Sequence, residues 1–193
     1  MEITSIDQLE LSKTYSYADY LTWRFKDRIE LIKGKIFAMS PAPASRHQRI
    51  SWNISFALGK FLDNSPCEVF YAPFDVRLER TKNDEQIQTV VQPDICVICD
   101  ISKIDEKGCS GAPEVVVEIL SPGNSKREIK TKYELYEEAG VLEYWIIDPE
   151  HDTALFFYLK NGTFQAGRPL AVSDSIKSKT LNGFELPLKM IFK

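Results

Sequence analysis

Hydrophobic and polar positions along the 193-residue chain fall into two periods, one helical and one extended. Three stretches carry helical spacing. Each follows a serine with an acid or amide three positions on, the reciprocal pairing that satisfies free amides in a first helical turn. Ser16 with Asp19 predicts a helix through YADYLTWRF. Ser45 with Gln48 predicts one through RHQRISWNISFALGKFLD, with Ile50, Ile54 and Phe61 recurring at helical spacing. Ser125 with Glu128 predicts one through KREIKTKYELYEEA, ended by Gly140 where left-handed backbone is wanted.

Strands fill the intervals. IELIKGKIFAM reads as a hairpin about Lys33-Gly34, and VFYAPFDVRLE alternates as one extended stretch. PDICVICD and EVVVEIL are short and rich in Val and Ile, as suits central strands covered on both faces. LEYWIID follows the third helix, and Asn161-Gly162 closes a second hairpin between TALFFYLK and TFQ. LNGFELPLKMIFK is expected to return as an edge strand. The order predicts an α/β fold, a mixed sheet flanked by helices with additional hairpins toward both ends. No repeat, low-complexity tract or linker interrupts it, so residues 1–193 are expected to form a single domain.

Composition narrows the partners. No apolar run approaches the roughly 20 residues that span a bilayer, and the acidic start MEITSIDQLELSK lacks an apolar signal region, so a cytoplasmic location without membrane contact is expected. The formal charge of −4 argues against a broad basic surface that coats DNA, yet permits one local basic cleft. The cysteines are Cys67, Cys96, Cys99 and Cys109. Cys96 and Cys99 form a C-x-x-C, but within an alternating strand that spacing sends the thiols to opposite faces, so these two are expected to be small buried hydrophobes.

Chemistry concentrates at a few positions. Glu118 stands in an otherwise apolar strand just before Ser121-Pro122-Gly123, where an ionised carboxylate is costly unless a cation or donors meet it. Asp94 starts the apolar run ICVIC directly after Pro93. Two acids at the ends of neighbouring apolar strands can converge on one point, and a small set of oxygen ligands suits magnesium. Capping of turns, or pairing with nearby Lys and Arg, is the alternative for both. Lys126, Arg127, Lys130 and Lys132 cluster in the first turns of the third helix, a source of positive charge for phosphate or simply a solvated face with Glu128 and Lys132 as an i,i+4 pair. Lys132 borders the apolar stripe. His47 is in line with Ile50 and Ile54 on the buried face of the second helix, as a core histidine or a functional one, with Arg46 and Arg49 beside it. Glu30 and Asp75 read equally well as surface acids.

The runs VVQPDICVICD and GCSGAPEVVVEILSPGNSKREIKTKYELYEEAGVLEYWIIDPE, with ELIKGKIFAMSPAPASRHQRIS and YAPFDVRL upstream, resemble the Uma2 family of endonucleases. That family belongs to the PD-(D/E)xK restriction-endonuclease-like superfamily. The resemblance implies a restriction-endonuclease-like core and a metal-assisted phosphodiesterase site. Pro93-Asp94 matches the PD element, and Glu118-Ile119-Leu120 occupies the (D/E)xK element with Leu120 where the lysine should be. Lys132 matches a position from which the next helix supplies the lysine instead, and Glu30 and His47 match positions lining the same pocket.

On this reading Asp94, Glu118 and the Ile119 carbonyl hold Mg²⁺, for which Mn²⁺ can substitute. Lys126, Arg127, Lys130 and Arg46 guide a nucleic-acid backbone, DNA first; the oligomeric state stays open, a symmetric homodimer being the arrangement often used to cut both strands. The rivals are a binding module that kept the fold and lost the activity, and a hydrolase of small phosphodiesters.

Overall fold

Two mixed sheets carry the fold in this computed structural model, which describes residues 2–26, 28–39, 44–122 and 126–193. Ser16 caps α1 (Tyr17–Tyr20) through the expected exchange with Asp19, but α1 is a single turn and does not run on to Phe25. Beyond it Trp23 packs against Tyr15, Tyr20 and Phe25, and burying that indole outweighs extending a solvated helix. The first hairpin forms as β1 (Ile29–Ile32) and β2 (Lys35–Ala38), with Lys33 and Gly34 both at positive φ as a two-residue turn requires.

Next, α2 (Ser45–Leu62) buries His47, Ile50, Ile54, Leu58 and Leu62. Two expectations are corrected here. Ser45 is the first helical residue, while Ala44 holds the cap position without a side-chain bond. Phe61 is 42% exposed, because the buried stripe steps by fours through Leu58 to Leu62.

VFYAPFDVRLE is not one strand. It supplies β3 (Glu68–Tyr71) and then β4 (Val76–Arg77), and the two lie in different sheets. Pro73 falls between them and has no amide hydrogen to give a ladder. After β5 (Val90–Val91) come β6 (Ile95–Ile98), β7 (Ile104–Asp105), β8 (Gly108–Ser110) and β9 (Val115–Ile119). Helix α3 (Lys126–Ala139) ends at Gly140, which has positive φ as expected; its anticipated cap, Ser125, lies outside the described residues. β10 (Glu143–Asp148) leads to the second hairpin, β11 (Thr153–Lys160) and β12 (Thr163–Ala166), turned at Asn161-Gly162.

LNGFELPLKMIFK does not become an edge strand of either sheet. Among the described residues its β14 (Glu185–Pro187) pairs only with β13 (Ser175–Lys177), and the chain then forms α4 (Leu188–Ile191), whose Leu188 and Ile191 are buried in the core beneath α2.

Strand order is β2-β1-β5-β4-β8-β7 in one sheet and β12-β11-β10-β9-β6-β3 in the other. β9 is antiparallel to β6 and parallel to β10, with α3 as the crossover. Val115, Val117 and Ile119 of β9 pack in the core that α2 covers. Val116 faces a second core, where Ile32, Val76 and Val91 of the first sheet meet Cys96 and Ile146 of the second and Tyr136 of α3. Strand alternation sends Glu118 to that same face, into the seam between the sheets. No helix among the described residues is long and apolar enough to cross a membrane.

The cysteine reading is half corrected. Cys96 and Cys109 are buried and free, but Cys67 and Cys99 are joined by a disulfide. The Glu68↔Ile98 register of β3 and β6 places them opposite one another, one position beyond the paired strands.

Glu143, at the start of β10, is fully buried and anchors the segment after β13. Its carboxylate accepts hydrogen bonds from Trp145 Nε1 (3.1 Å), Ser178 Oγ (2.9 Å) and the amides of Lys179 (2.5 Å) and Thr180 (2.6 Å). Glu143→Ala leaves those donors without an acceptor away from water, and the expected loss is about 3 kcal/mol or more of unfolding free energy, measured by urea denaturation. Glu143→Gln keeps one acceptor oxygen and should lose less. An alanine variant within about 0.5 kcal/mol of the parent would mean the donors find other partners.

Candidate active site

β1 presents Glu30 on the inner side of its hairpin, 5% exposed. Its Oε1 accepts from the Gln92 amide (2.9 Å) and from Lys132 Nζ (2.9 Å). β9 presents Glu118, whose Oε1 accepts from Lys132 Nζ (2.8 Å) and from the Tyr136 hydroxyl (2.7 Å). Asp94 immediately precedes β6, and the Ile95↔Val117 register sets it across from Glu118. Its Oδ2 accepts from the Ile119 amide (2.8 Å) and lies 3.3 Å from His47 Nε2.

His47 enters from α2, with Nε2 also 3.0 Å from the Ile119 carbonyl. A carbonyl can only accept, so Nε2 carries the hydrogen and, in the neutral ring, Nδ1 is the basic nitrogen. That Nδ1 is buried and has no hydrogen-bond partner among the described residues.

These side chains converge. Glu30, His47, Asp94, Glu118, Ile119 and Lys132 all line one cavity of about 120 Å³ at the seam of the two sheets. A second hollow of about 460 Å³ shares His47, Leu120 and Ser121 with it and reaches outward to Arg46, Asp148 and Glu150.

The electrostatics are those of crowded acids around one ammonium. Burial raises Glu118, Lys132 opposes that, and the neighbouring Asp94 and Glu30 carboxylates add to it, leaving Glu118 at about 7. Burial works against the Lys132 ammonium, but Glu118 and Glu30 outweigh it and hold the group charged, well above the ordinary lysine value. For His47, burial again disfavours charge, and the hydrogen bond and charge of Asp94 outweigh it, so its pKa is raised.

The basic residues expected to guide a backbone are placed differently. Lys126, Arg127 and Lys130 face solvent on α3, with Lys130 3.6 Å from Glu134. Arg46 is paired with Asp152 (2.5 Å) at the mouth of the second hollow. Of the four lysines and arginines at the start of α3, Lys132 is the one turned into the cavity.

Three residues around the site carry roles that the sequence did not show. Tyr136 is one turn beyond Lys132 and holds Glu118. Gln92, two positions before Asp94, holds Glu30 by its amide and Asp75 by Nε2 (2.8 Å). Asp75 is half-buried, with the Tyr17 and Tyr20 hydroxyls each 3.4 Å away, and burial raises its pKa.

The donor chemistry fits a hard divalent cation. Two carboxylates, Glu30 and Glu118, share the one ammonium, the Asp94 carboxylate lies beside His47, and the Ile119 carbonyl adds a further oxygen. Among the described residues, no group of three or more His, Cys, Asp or Glu side chains is gathered as a metal site. Magnesium does not require one, since it is commonly held by one or two carboxylates and retains several waters.

Residues 17–189 match the model of the Uma2 family, described as "Putative restriction endonuclease". The uncharacterized protein slr1290 of Synechocystis sp. is 26% identical over 145 residues, covering 74% of this chain and 73% of its own. A crystal structure of a "putative nuclease belonging to DUF820" from Anabaena variabilis superposes with a TM-score of 0.71 at 19% identity, covering 92% of this chain and 97% of that one. The expected restriction-endonuclease-like architecture is borne out at the level of fold.

Glu118 and His47 both bind their proton more tightly in the folded chain than in the unfolded one. The folded state therefore holds more protons between the unfolded and folded pKa values, and stability falls as pH rises through that window. For Glu118 the window runs from 4.5 to about 7. The metal-free chain is expected to lose thermal stability across it, and Glu118→Gln to flatten the profile. Parallel melting-temperature profiles for the two proteins would show that Glu118 titrates as an ordinary carboxylate.

Proposed function

Since the chain belongs to the Uma2 family, we propose that it is a metal-dependent endonuclease that hydrolyses phosphodiester bonds in nucleic acid, DNA first. The observation that carries this reading is the Lys132 ammonium 2.8 Å from Glu118 Oε1. That ammonium comes from α3, whereas the (D/E)xK pattern takes its lysine from the residue two beyond the acid, where this chain has Leu120.

Asp94, Glu118 and the Ile119 carbonyl are the oxygen donors that would hold Mg²⁺ or Mn²⁺. When bound, the ion supplies Lewis acidity at the phosphoryl oxygen and a water of lowered pKa. Lys132, kept charged by Glu30 and Glu118, offsets negative charge as the phosphate passes through its transition state. Tyr136 fixes the Glu118 carboxylate, and the Gln92 amide fixes Glu30, so neither acid needs to reorganise when substrate enters. His47 lines the cavity and is anchored through Nε2; its buried, unpartnered Nδ1 is the nitrogen left for moving a proton or meeting a phosphate oxygen once the ring turns toward substrate. Arg46 and the solvent-facing Lys126, Arg127 and Lys130 contact phosphates outside the cavity, which positions a backbone without reading its sequence.

The test is a cleavage panel of supercoiled, linear and single-stranded nucleic acid with Mg²⁺, Mn²⁺ and EDTA. Metal-dependent cleavage is expected, and Glu118→Gln should abolish it. Lys132→Ala should slow single-turnover cleavage by about 10²–10⁴-fold, while Mg²⁺ affinity by calorimetry holds or rises, since a competing cation has been removed. Wild-type cleavage by Lys132→Ala would remove the helix lysine from the mechanism. Tight metal-independent binding without cleavage would identify a binding module instead.

A further inference from the structure

The proposed site uses the inner face of α2, through His47. The outer face carries a second pattern. Arg46, Arg49, Trp52, Phe56 and Lys60 follow one another at intervals of three and four residues, which align along one ridge of a helix. At about 100° per residue Arg49, Trp52 and Phe56 lie on the side away from Ile50, Ile54 and Leu58, with Lys60 and Arg46 turned toward the flank, and all five residues are exposed. Trp52 and Phe56 are 67% and 59% exposed, and their rings stack with centroids 5.9 Å apart.

We propose that this ridge is a stacking track for single-stranded nucleic acid, with Trp52 and Phe56 as base platforms and Arg49 and Lys60 as phosphate contacts. The proposal rests on the preceding reading that the substrate is nucleic acid, and it specifies the strand form.

Three observations carry it. The first is charge. The chain has a net charge of −4 and contains 28 acidic residues, yet all 18 residues of α2 include none, and the nearest acid along the chain is Asp63, past the last turn. The second is chemistry. Aromatic faces interleaved with cations suit unpaired bases on a charged backbone, because every base presents a π-face and every nucleotide a phosphate. The third is continuity. Arg46, which begins the ridge, lines the hollow that shares His47, Leu120 and Ser121 with the active-site cavity, so a strand on the ridge leads over the first turn of α2 to the site.

A second copy of the chain is the other occupant an exposed aromatic pair suggests. A two-fold contact sets the same patch against itself. Here that would bring Arg49 and Lys60 toward their own counterparts with no acid on the helix to separate them. The charge pattern favours a polyanion.

Trp52 is its own probe, since Trp23 and Trp145 are 7% and 0% exposed. Titrating an unlabelled oligothymidylate of about 20 nucleotides into the full chain in EDTA should quench tryptophan emission to saturation. A blunt duplex should quench about tenfold more weakly at equal nucleotide concentration. Trp52→Ala and Phe56→Ala should each weaken binding about 5- to 100-fold by anisotropy of a labelled strand, with Trp52→Phe restoring most of it. Arg49→Gln should reduce the slope of log affinity against log salt by about 0.7.

Cleavage of nucleic acid in Mg²⁺ by a chain whose emission no oligonucleotide changes would overturn the track and leave the nuclease reading standing. Saturable quenching without cleavage in any metal would support the track and sink the nuclease reading. Equal quenching by duplex would overturn the strand preference. Emission that shifts with protein concentration alone, together with dimers in sedimentation, would make this face a subunit interface and overturn the proposal.

Discussion

The Lys132 ammonium lies between Glu30 of one sheet and Glu118 of the other, at 2.9 and 2.8 Å, and the remaining geometry of the cavity follows from it. Two buried carboxylates repel and lose their hydration, so they stay together only where a cation compensates both. A lysine reaching in from α3 supplies that charge, and its long stem lets the helix pack at the ordinary distance through Leu135 and Tyr136. The same contact ties β1, β9 and α3 together. Replacing Lys132 with an uncharged residue would leave two buried acids without their cation, which is a strain on the joint between the sheets as well as on the chemistry.

Much of the candidate site was legible because it breaks a pattern. An acid in VVVEIL and another before ICVIC are conspicuous in apolar strands, and the antiparallel register of β6 and β9 then brings them across from one another. His47 was marked by phase, since it shares the buried stripe with Ile50 and Ile54. Lys132 needed more than phase, because its neighbours Lys126, Arg127 and Lys130 are as basic as it is; the family pattern separated it from them. Tyr136 and Gln92 were not legible. A tyrosine on a helix stripe reads as packing, and the bond that holds Glu30 is made by a backbone amide, which no side-chain type announces.

Local signals also explain where the fold was misread. The Ser16–Asp19 cap fixes where α1 begins, but its length was decided by an aromatic cluster assembled from several segments. VFYAPFDVRLE alternates throughout, and only the assignment of its halves to different sheets shows that it is two strands. The disulfide joins residues 32 positions apart, a pairing set by the β3–β6 register and invisible in the spacing of Cys96 and Cys99. Turns fared better, since Lys33-Gly34 and Asn161-Gly162 act through the backbone of two adjacent residues.

Leu120 has a wider consequence. A chain that keeps acid and lysine two residues apart on a single strand carries both halves of the pair in a fragment of three residues. Here the acid and its ammonium are separated by 14 positions, and Glu30 is a further 102 positions from that lysine. A peptide shorter than residues 30–132 cannot hold the constellation, which needs the helix, the strand and the hairpin docked together. A fragment that has lost any one of the three elements has therefore lost the site, and only tertiary closure assembles it.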